Sequence, residues 1–241
     1  MAVIVPAILV TTRKELDEKL ARLRGIVDSV QIDAIDGQFS APASWPYVSG
    51  KNELAALVDR EEMLPYGDLF RFEADLMVTD PEAAASAWVA VGVTRLTLHA
   101  ARGQDLAPIL ERLALHFGHD KDFIPDLLSF GIALTVDDDP RVLDPVLDKI
   151  DYVQYMGIAH IGRQGEPFDS RTLEHVHTLH HRHPDLPIQV DGGVSLESAP
   201  ALLGAGVSRL VIGSGIWGSP DVSARIQEFE SLALRYGVYE R

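Results

Sequence analysis

The chain has no cysteine. That absence excludes disulfides, thiolate metal sites and a thiol nucleophile, so any catalysis falls to carboxylates, histidines or hydroxyls. Basic residues are scarce as well: 21 Lys and Arg stand against 36 Asp and Glu, a formal net charge of −15. So acidic a surface is repelled by a phosphate backbone, which argues against nucleic acid as a partner. Long hydrophobic runs are also missing. The apolar opening MAVIVPAILV has neither the positive leader nor the small-residue cleavage site of a signal peptide, and no later run is long enough to span a membrane. The opening reads as a buried strand, and the expectation is a cytoplasmic protein with no membrane partner. Apolar material is plentiful, with 46% hydrophobic and 24% charged residues over 241 positions, enough for a sizeable core and incompatible with general disorder.

Short β-rich runs alternate with amphipathic segments from end to end. The strand candidates are VIVPAIL (3–9), SVQIDAI (29–35), LFRFEADLMV (69–78), TRLTLHA (94–100), GIALTV (131–136), YVQYMGI (152–158), PIQVDG (187–192) and SRLVIG (208–213). Between them lie helix-like stretches such as RKELDEKLARLRGI, DPEAAASAWVAVG, DPRVLDPVLDKI and SLESAPALLGAG. Such alternation demands a parallel sheet with helical cover, and about eight units in this length predict an α/β fold of one domain, a (β/α)8 TIM barrel over residues 1–241. The least regular parts, 36–52 and 157–169, both follow strands, where a barrel places its active-site loops.

Side chains two apart on a strand share a face. Gln31 and Asp33 therefore share one face of the second strand, Glu73 and Asp75 one face of the third, Thr97 and His99 of the fourth, and Gln189 and Asp191 of the seventh, each alternating with apolar residues. The helix-packed face must be apolar, so the polar sets point into the barrel and converge at its C-terminal mouth. The inferred site holds Asp33, Asp75, Asp191, His99 and Gln31. An inert hydrogen-bonded polar layer is the plainer alternative. Against it, crowded carboxylates repel unless a cation or a shared proton relieves them.

Two glycine-rich strand ends add an anion site. DGGV (191–194) and IGSGIWG (212–218) follow the seventh and eighth strands, where Gly192, Gly193, Gly213 and Ser214 can offer backbone N–H groups to a phosphate. The histidines of HVHTLHHRH (175–183) could gather a metal at helical spacing, but a solvated helix face explains them as well. Trp45 and Tyr47 either cover a substrate or anchor the long loop that carries them. His99 either binds a substrate oxygen or is a satisfied core histidine.

These residues together resemble the ribulose-phosphate 3-epimerase family. VPAILV resembles the family's first strand, VQIDAIDGQF its HVDVMDGxF segment, DLMVTDP its HLMVxxP segment, LTLHA its fourth strand, and IQVDGGV with VIGSGIWG its last two. The resemblance implies an isomerase of carbohydrate metabolism, in the pentose phosphate pathway, that interconverts D-ribulose 5-phosphate and D-xylulose 5-phosphate. It implies two aspartates acting as acid and base at C3, which match Asp33 and Asp191, and a divalent metal that these share with two histidines.

The sequence departs from that pattern at definite positions. Gln31 and Asp75 stand where the family has its histidines, and Ala7 stands in place of a serine. The sixth-strand loop reads AHIGRQG where NPGFGGQ is usual, so Gly162 and Gly165 would keep the backbone approach to phosphate, with Arg163 or His160 adding positive charge. Gln31, Asp33, Asp75 and Asp191 offer only oxygen donors, which suits Mg2+ or Mn2+ better than Zn2+. The alternative is a metal-free site in which a shared proton or nearby cation neutralises Asp75. The ligand expected is a small sugar phosphate, and a homo-oligomer is left open. Two other readings stand beside the epimerase: an aldolase or decarboxylase on the same scaffold, opposed by Met77 where a DxKxxD segment needs lysine, and a non-catalytic phospholigand binder.

Overall fold

The computed structural model describes residues 2–50, 52–99, 105–119, 127–162 and 165–237. Eight strands, β1 (Val3–Ile8), β2 (Ser29–Ile35), β3 (Arg71–Met77), β4 (Val93–His99), β5 (Ser129–Leu134), β6 (Tyr152–Met156), β7 (Ile188–Asp191) and β8 (Arg209–Ile212), pair in parallel with their sequence neighbours. β1 closes on β8, so the sheet is a barrel, as the alternation of apolar runs predicts. Around it lie α1 (Arg13–Leu23), α2 (Glu53–Asp59), α3 (Pro81–Ala90), α4 (Ala107–Phe117), α5 (Arg171–Arg182), α6 (Ala199–Gly204), the short α7 (Ser214–Trp217) and α8 (Val222–Tyr236). No helix among the described residues is long and apolar enough to cross a membrane.

Local chemistry sets these elements. Thr12 and Glu15 form a reciprocal capping box that starts α1, whose Leu16, Leu20 and Leu23 then fall on one buried stripe. Asp80 caps α3, with Pro81 in its first turn, where a missing N–H costs nothing. One expected helix is corrected. DPRVLDPVLDKI forms only a 3-10 turn at Pro140–Leu143 and then plain turns, because Pro145 has no N–H to donate and its ring clashes with the preceding turn.

The strand parity holds. Val30, Ile32 and Ala34 of β2 are buried in the helix-facing layer, while Gln31 and Asp33 are buried inside the barrel. Below the mouth the interior holds polar groups that pair with one another. Arg209 and Arg95 both pair with Glu73, Arg95 donates to Gln189 at 3.1 Å, and Gln189 donates to Gln154 at 2.6 Å. The Arg95 guanidinium lies 3.3 Å from the centre of the Tyr152 ring, and the Tyr152 hydroxyl is 2.8 Å from that of Thr97. Gly131 makes room for this ring, since a Cβ there would overlap it. Gly131→Ala should therefore destabilise the fold by about 1–3 kcal/mol in urea denaturation, the usual range for overpacking, and unchanged stability would show that the ring is not confined.

Candidate active site

At the barrel mouth Asp33, Asp75 and Asp191 come from β2, β3 and β7, all buried, with one oxygen of each within 4.8 Å of the others. β2 and β3 set Asp33 directly beside Asp75 in register, and β6 and β7 set Met156 beside Asp191. Gln31, two residues before Asp33 on the same face, donates one amide Nε2 to Asp33 Oδ1 at 2.9 Å and to Asp191 Oδ2 at 2.7 Å. His99 Nε2 lies 2.7 Å from Asp75 Oδ1, and the Phe39 ring packs edge-on against that imidazole at 5.8 Å. The five polar residues expected at the mouth are thus brought together.

Asp33 and Asp191 open onto one cavity, which is also lined by Gly162, Gly165, Gly192, Gly193, Gly213 and Ser214. All six residues expected to approach a phosphate share this wall. His99 is not among the lining residues; its partner is Asp75. Gly193 has φ +66 and lies so close to the Phe168 backbone that a side chain would collide with it, which fixes glycine there on two grounds. Arg163 lies outside the described residues. His160 is exposed, with Nδ1 3.1 Å from Glu166, and Glu166 itself lines the cavity.

The loops are tied down from outside the cavity. The Asp36 carboxylate accepts from the backbone N–H groups of Gln38, Phe39 and Thr79, each at 2.7 Å, joining the loop after β2 to the end of β3. Trp45 is 2% exposed, stacks edge-on against Trp88 at 5.9 Å and donates to Glu53, so it anchors its loop and does not cover the cavity. None of the five histidines at 175–183 is buried, and among the described residues the sole cluster of three or more metal-ligating groups is the aspartate triad.

Some lining residues escape a reading of polar motifs. Met77, Met156, Ile35 and Ile158 belong to the apolar part of the wall, and parity along β6 already puts Met156 on the face of Gln154. Lys19 has no sequence signal at all. Its half-buried ammonium lies behind β1, 3.4 Å from the Leu9 carbonyl and 4.7 Å from the centre of the Trp217 ring.

The family model described as "Ribulose-phosphate 3 epimerase family" matches residues 3–217. The chain belongs to this family. A relative named ribulose-phosphate 3-epimerase from Aquifex aeolicus (strain VF5) is 24% identical over 240 residues, covering 97% of this chain and 98% of the relative. One of the same name from Bacillus subtilis (strain 168) is 27% identical over 210 residues, covering 85% and 87%. Among solved structures, KGPDC from Streptococcus mutans superposes with a TM-score of 0.68 at 17% identity over 98% of this chain and 99% of its own. A 3-hexulose-6-phosphate synthase from Salmonella typhimurium gives 0.67 at 14% identity, covering 98% of this chain and all of its own, 100%. These two likenesses show the fold alone. Membership in the ribulose-phosphate 3-epimerase family makes the protein an enzyme of the isomerase class.

Whether this epimerase-family site suits a cation can be judged from its donors. The three aspartate oxygens converge, and two further buried oxygens, Oδ2 of Asp75 and Oε1 of Gln31, have no hydrogen-bond partner. A hard, oxygen-seeking divalent ion fits such a set. Burial raises Asp33 to about 7, helped by the charge of Asp75 and opposed by the Gln31 hydrogen bond and by Lys19. Burial also raises Asp191 well above the usual carboxylate range, with Asp33 and Asp75 adding to it and Gln31 and the Gly192 N–H opposing.

A raised folded-state pKa has a definite stability sign. Between the ordinary aspartate value of 3.8 and about 7, the unfolded chain has released the Asp33 proton while the folded chain keeps it, so stability falls as pH rises through that window. In the presence of a chelator, the Tm of Asp33→Asn should be close to wild type near pH 4 and higher than wild type near pH 8. A difference that does not widen with pH would contradict the burial argument.

Proposed function

We propose that this protein interconverts D-ribulose 5-phosphate and D-xylulose 5-phosphate, or a closely similar ketose phosphate pair, by passing the C3 proton between Asp33 and Asp191. One observation carries the reading: two buried carboxylates from separate strands, β2 and β7, face one cavity whose wall also holds the backbone of five glycines, Ser214 and, paired with His160, Glu166. Gly162, Gly165, Gly192, Gly193, Gly213 and Ser214 hold the phosphate through backbone N–H groups, which leaves the sugar carbons over the aspartates.

The ionised aspartate of the pair removes the C3 proton. The C3–H electron pair becomes the C2–C3 double bond of an enediolate, and the C2 oxygen takes up the charge. The second aspartate, protonated, returns a proton to the opposite face of C3, which inverts the centre. The reverse reaction runs with the two roles exchanged. An Asp33 carboxyl near 7 suits this work, since both protonation states are available around neutral pH. Met77, Met156 and Ile158 cover the reacting carbons with apolar surface and exclude water. Asp33, Asp75 and Asp191, with Gln31 Oε1 if the amide turns, are the residues that would hold Mg2+ or Mn2+. Such an ion, when bound, neutralises the carboxylates and the charge on the C2 oxygen.

The decarboxylase or aldolase reading lacks its lysine. Met77 occupies that position, 3% exposed on the cavity wall, and carries no proton. A non-catalytic binder is separated from an epimerase by mutation. Incubated with ribulose 5-phosphate in D2O, wild type should place deuterium at C3 of the xylulose product. Asp33→Asn and Asp191→Asn should each lower kcat by roughly 10²–10⁴, the usual worth of a positioned acid or base, while still binding inorganic phosphate. Absence of C3 exchange with any ketose phosphate, with and without Mg2+ or Mn2+, would sink the proposal.

A further inference from the structure

Two carboxylates that exchange a proton across one carbon must stand at a fixed spacing, and strands alone do not provide it. Asp33 and Asp191 sit on β2 and β7, separated around the barrel by β1 and β8. Each is a short side chain with its own rotation, and their charges push them apart. Among the described residues one group touches both. The Gln31 side chain is fully buried, and its single NH2 group donates to Asp33 Oδ1 and to Asp191 Oδ2 at 2.9 and 2.7 Å.

The chemistry of a primary amide explains why this group can do it. Its two N–H bonds diverge in one plane, so one nitrogen serves two acceptors and fixes the angle between them as well as the distance. The carboxylates also choose which end of the amide faces them. Turned the other way, Oε1 would be a third acceptor against two, and in the observed orientation Oε1 has no partner. Ala7, the β1 register partner of Gln31, is small and faces inward with Val5 and Val211, so nothing bulky blocks the amide on its way to β7. Asp75 stands outside this bridge, held separately by His99.

We infer that Gln31 is a positioning residue for the reaction: its amide NH2 clamps Asp33 and Asp191 together and so couples proton removal on one face of the sugar to proton return on the other. The inference rests on the epimerase reading of the site and goes beyond it, because it assigns the spacing of the acid–base pair to this chain's own amide. With no ion bound, the clamp is the amide alone.

Gln31→Met, similar in length but without the donor, tests the inference in D2O, both with a chelator and with added Mg2+ or Mn2+. The expected result with chelator is a fall in kcat of about 100-fold, the scale of an ångström-size misplacement, with KM within about threefold of wild type. The starting epimer recovered from the reaction should also carry at least tenfold more deuterium per inversion than with wild type, since a displaced partner lets the proton return from solvent on the face it left. A purely structural loss would lower kcat without changing that ratio. Should Gln31→Met not fold, Gln31→Leu removes the donor without adding a charge and is read the same way. If wild type exchanges its C3 proton and the Gln31 variant matches it in both kcat and deuterium ratio, the positioning role alone is overturned. If wild type exchanges only with added Mg2+ or Mn2+, the amide alone does not couple the pair and the positioning role is overturned; if it exchanges in neither condition, the epimerase reading fails and the role fails with it.

Discussion

Three carboxylates held within 4.8 Å of one another inside a closed barrel are the constraint on which the rest of this structure depends. Left alone, they would repel, protonate or pull the strands apart. Each compensating group comes from a different part of the chain. Gln31 gives its NH2 to two of them, His99 contacts the third, and the Gly192 N–H and the half-buried Lys19 favour the ionised forms of Asp191 and Asp33 respectively. Compensation is incomplete, as the raised proton affinities of Asp33 and Asp191 record. That residue of unrelieved charge is what a proton-transfer site uses.

The barrel makes such crowding feasible. Parallel strands bring the C-terminal ends of β2, β3 and β7 to one mouth, and the helices outside supply the apolar burial that holds the ring closed. Beneath the mouth, the layer of Glu73, Arg95, Arg209, Gln154 and Gln189 ties the strands together across the interior with paired polar groups. Above it, Asp36 clamps the second and third loops, and Ser40 donates to the Ile161 carbonyl at 2.9 Å to join the second loop to the sixth. The site is therefore braced from below and around its rim before any ligand arrives.

Most of the scaffold was legible in the sequence, because strands buried on one side by helices must alternate polar and apolar residues. Parity on β2, β3, β4 and β7 was enough to place Gln31, Asp33, Asp75, His99 and Asp191 on the inner face. Partnership was not legible. Period places a side chain on a face but says nothing of its neighbour across the barrel, so the Gln31 bridge to Asp191 and the His99 contact with Asp75 needed coordinates. Lys19 was invisible for a related reason: it belongs to a helix whose polar face looks solvated, and only its bend back to Leu9 brings it near the site. The segment after β5 has the apolar spacing of a helix, but Pro145 breaks it and only a 3-10 turn forms.

The net charge of −15 makes an anionic substrate a local matter. Glycine backbone at the ends of β7 and β8 can attract a phosphate where the protein's overall field does not. The measurement that tests the central claim most directly is a crystal structure with a phosphorylated ketose analogue that cannot lose its C3 proton. Phosphate is expected against Gly192, Gly193, Gly213 and Ser214, with Asp33 and Asp191 on opposite faces of C3, each about 3 Å from it, within proton-transfer reach. A sugar bound with both carboxylates on one face, or with C3 beyond the reach of either, would contradict it.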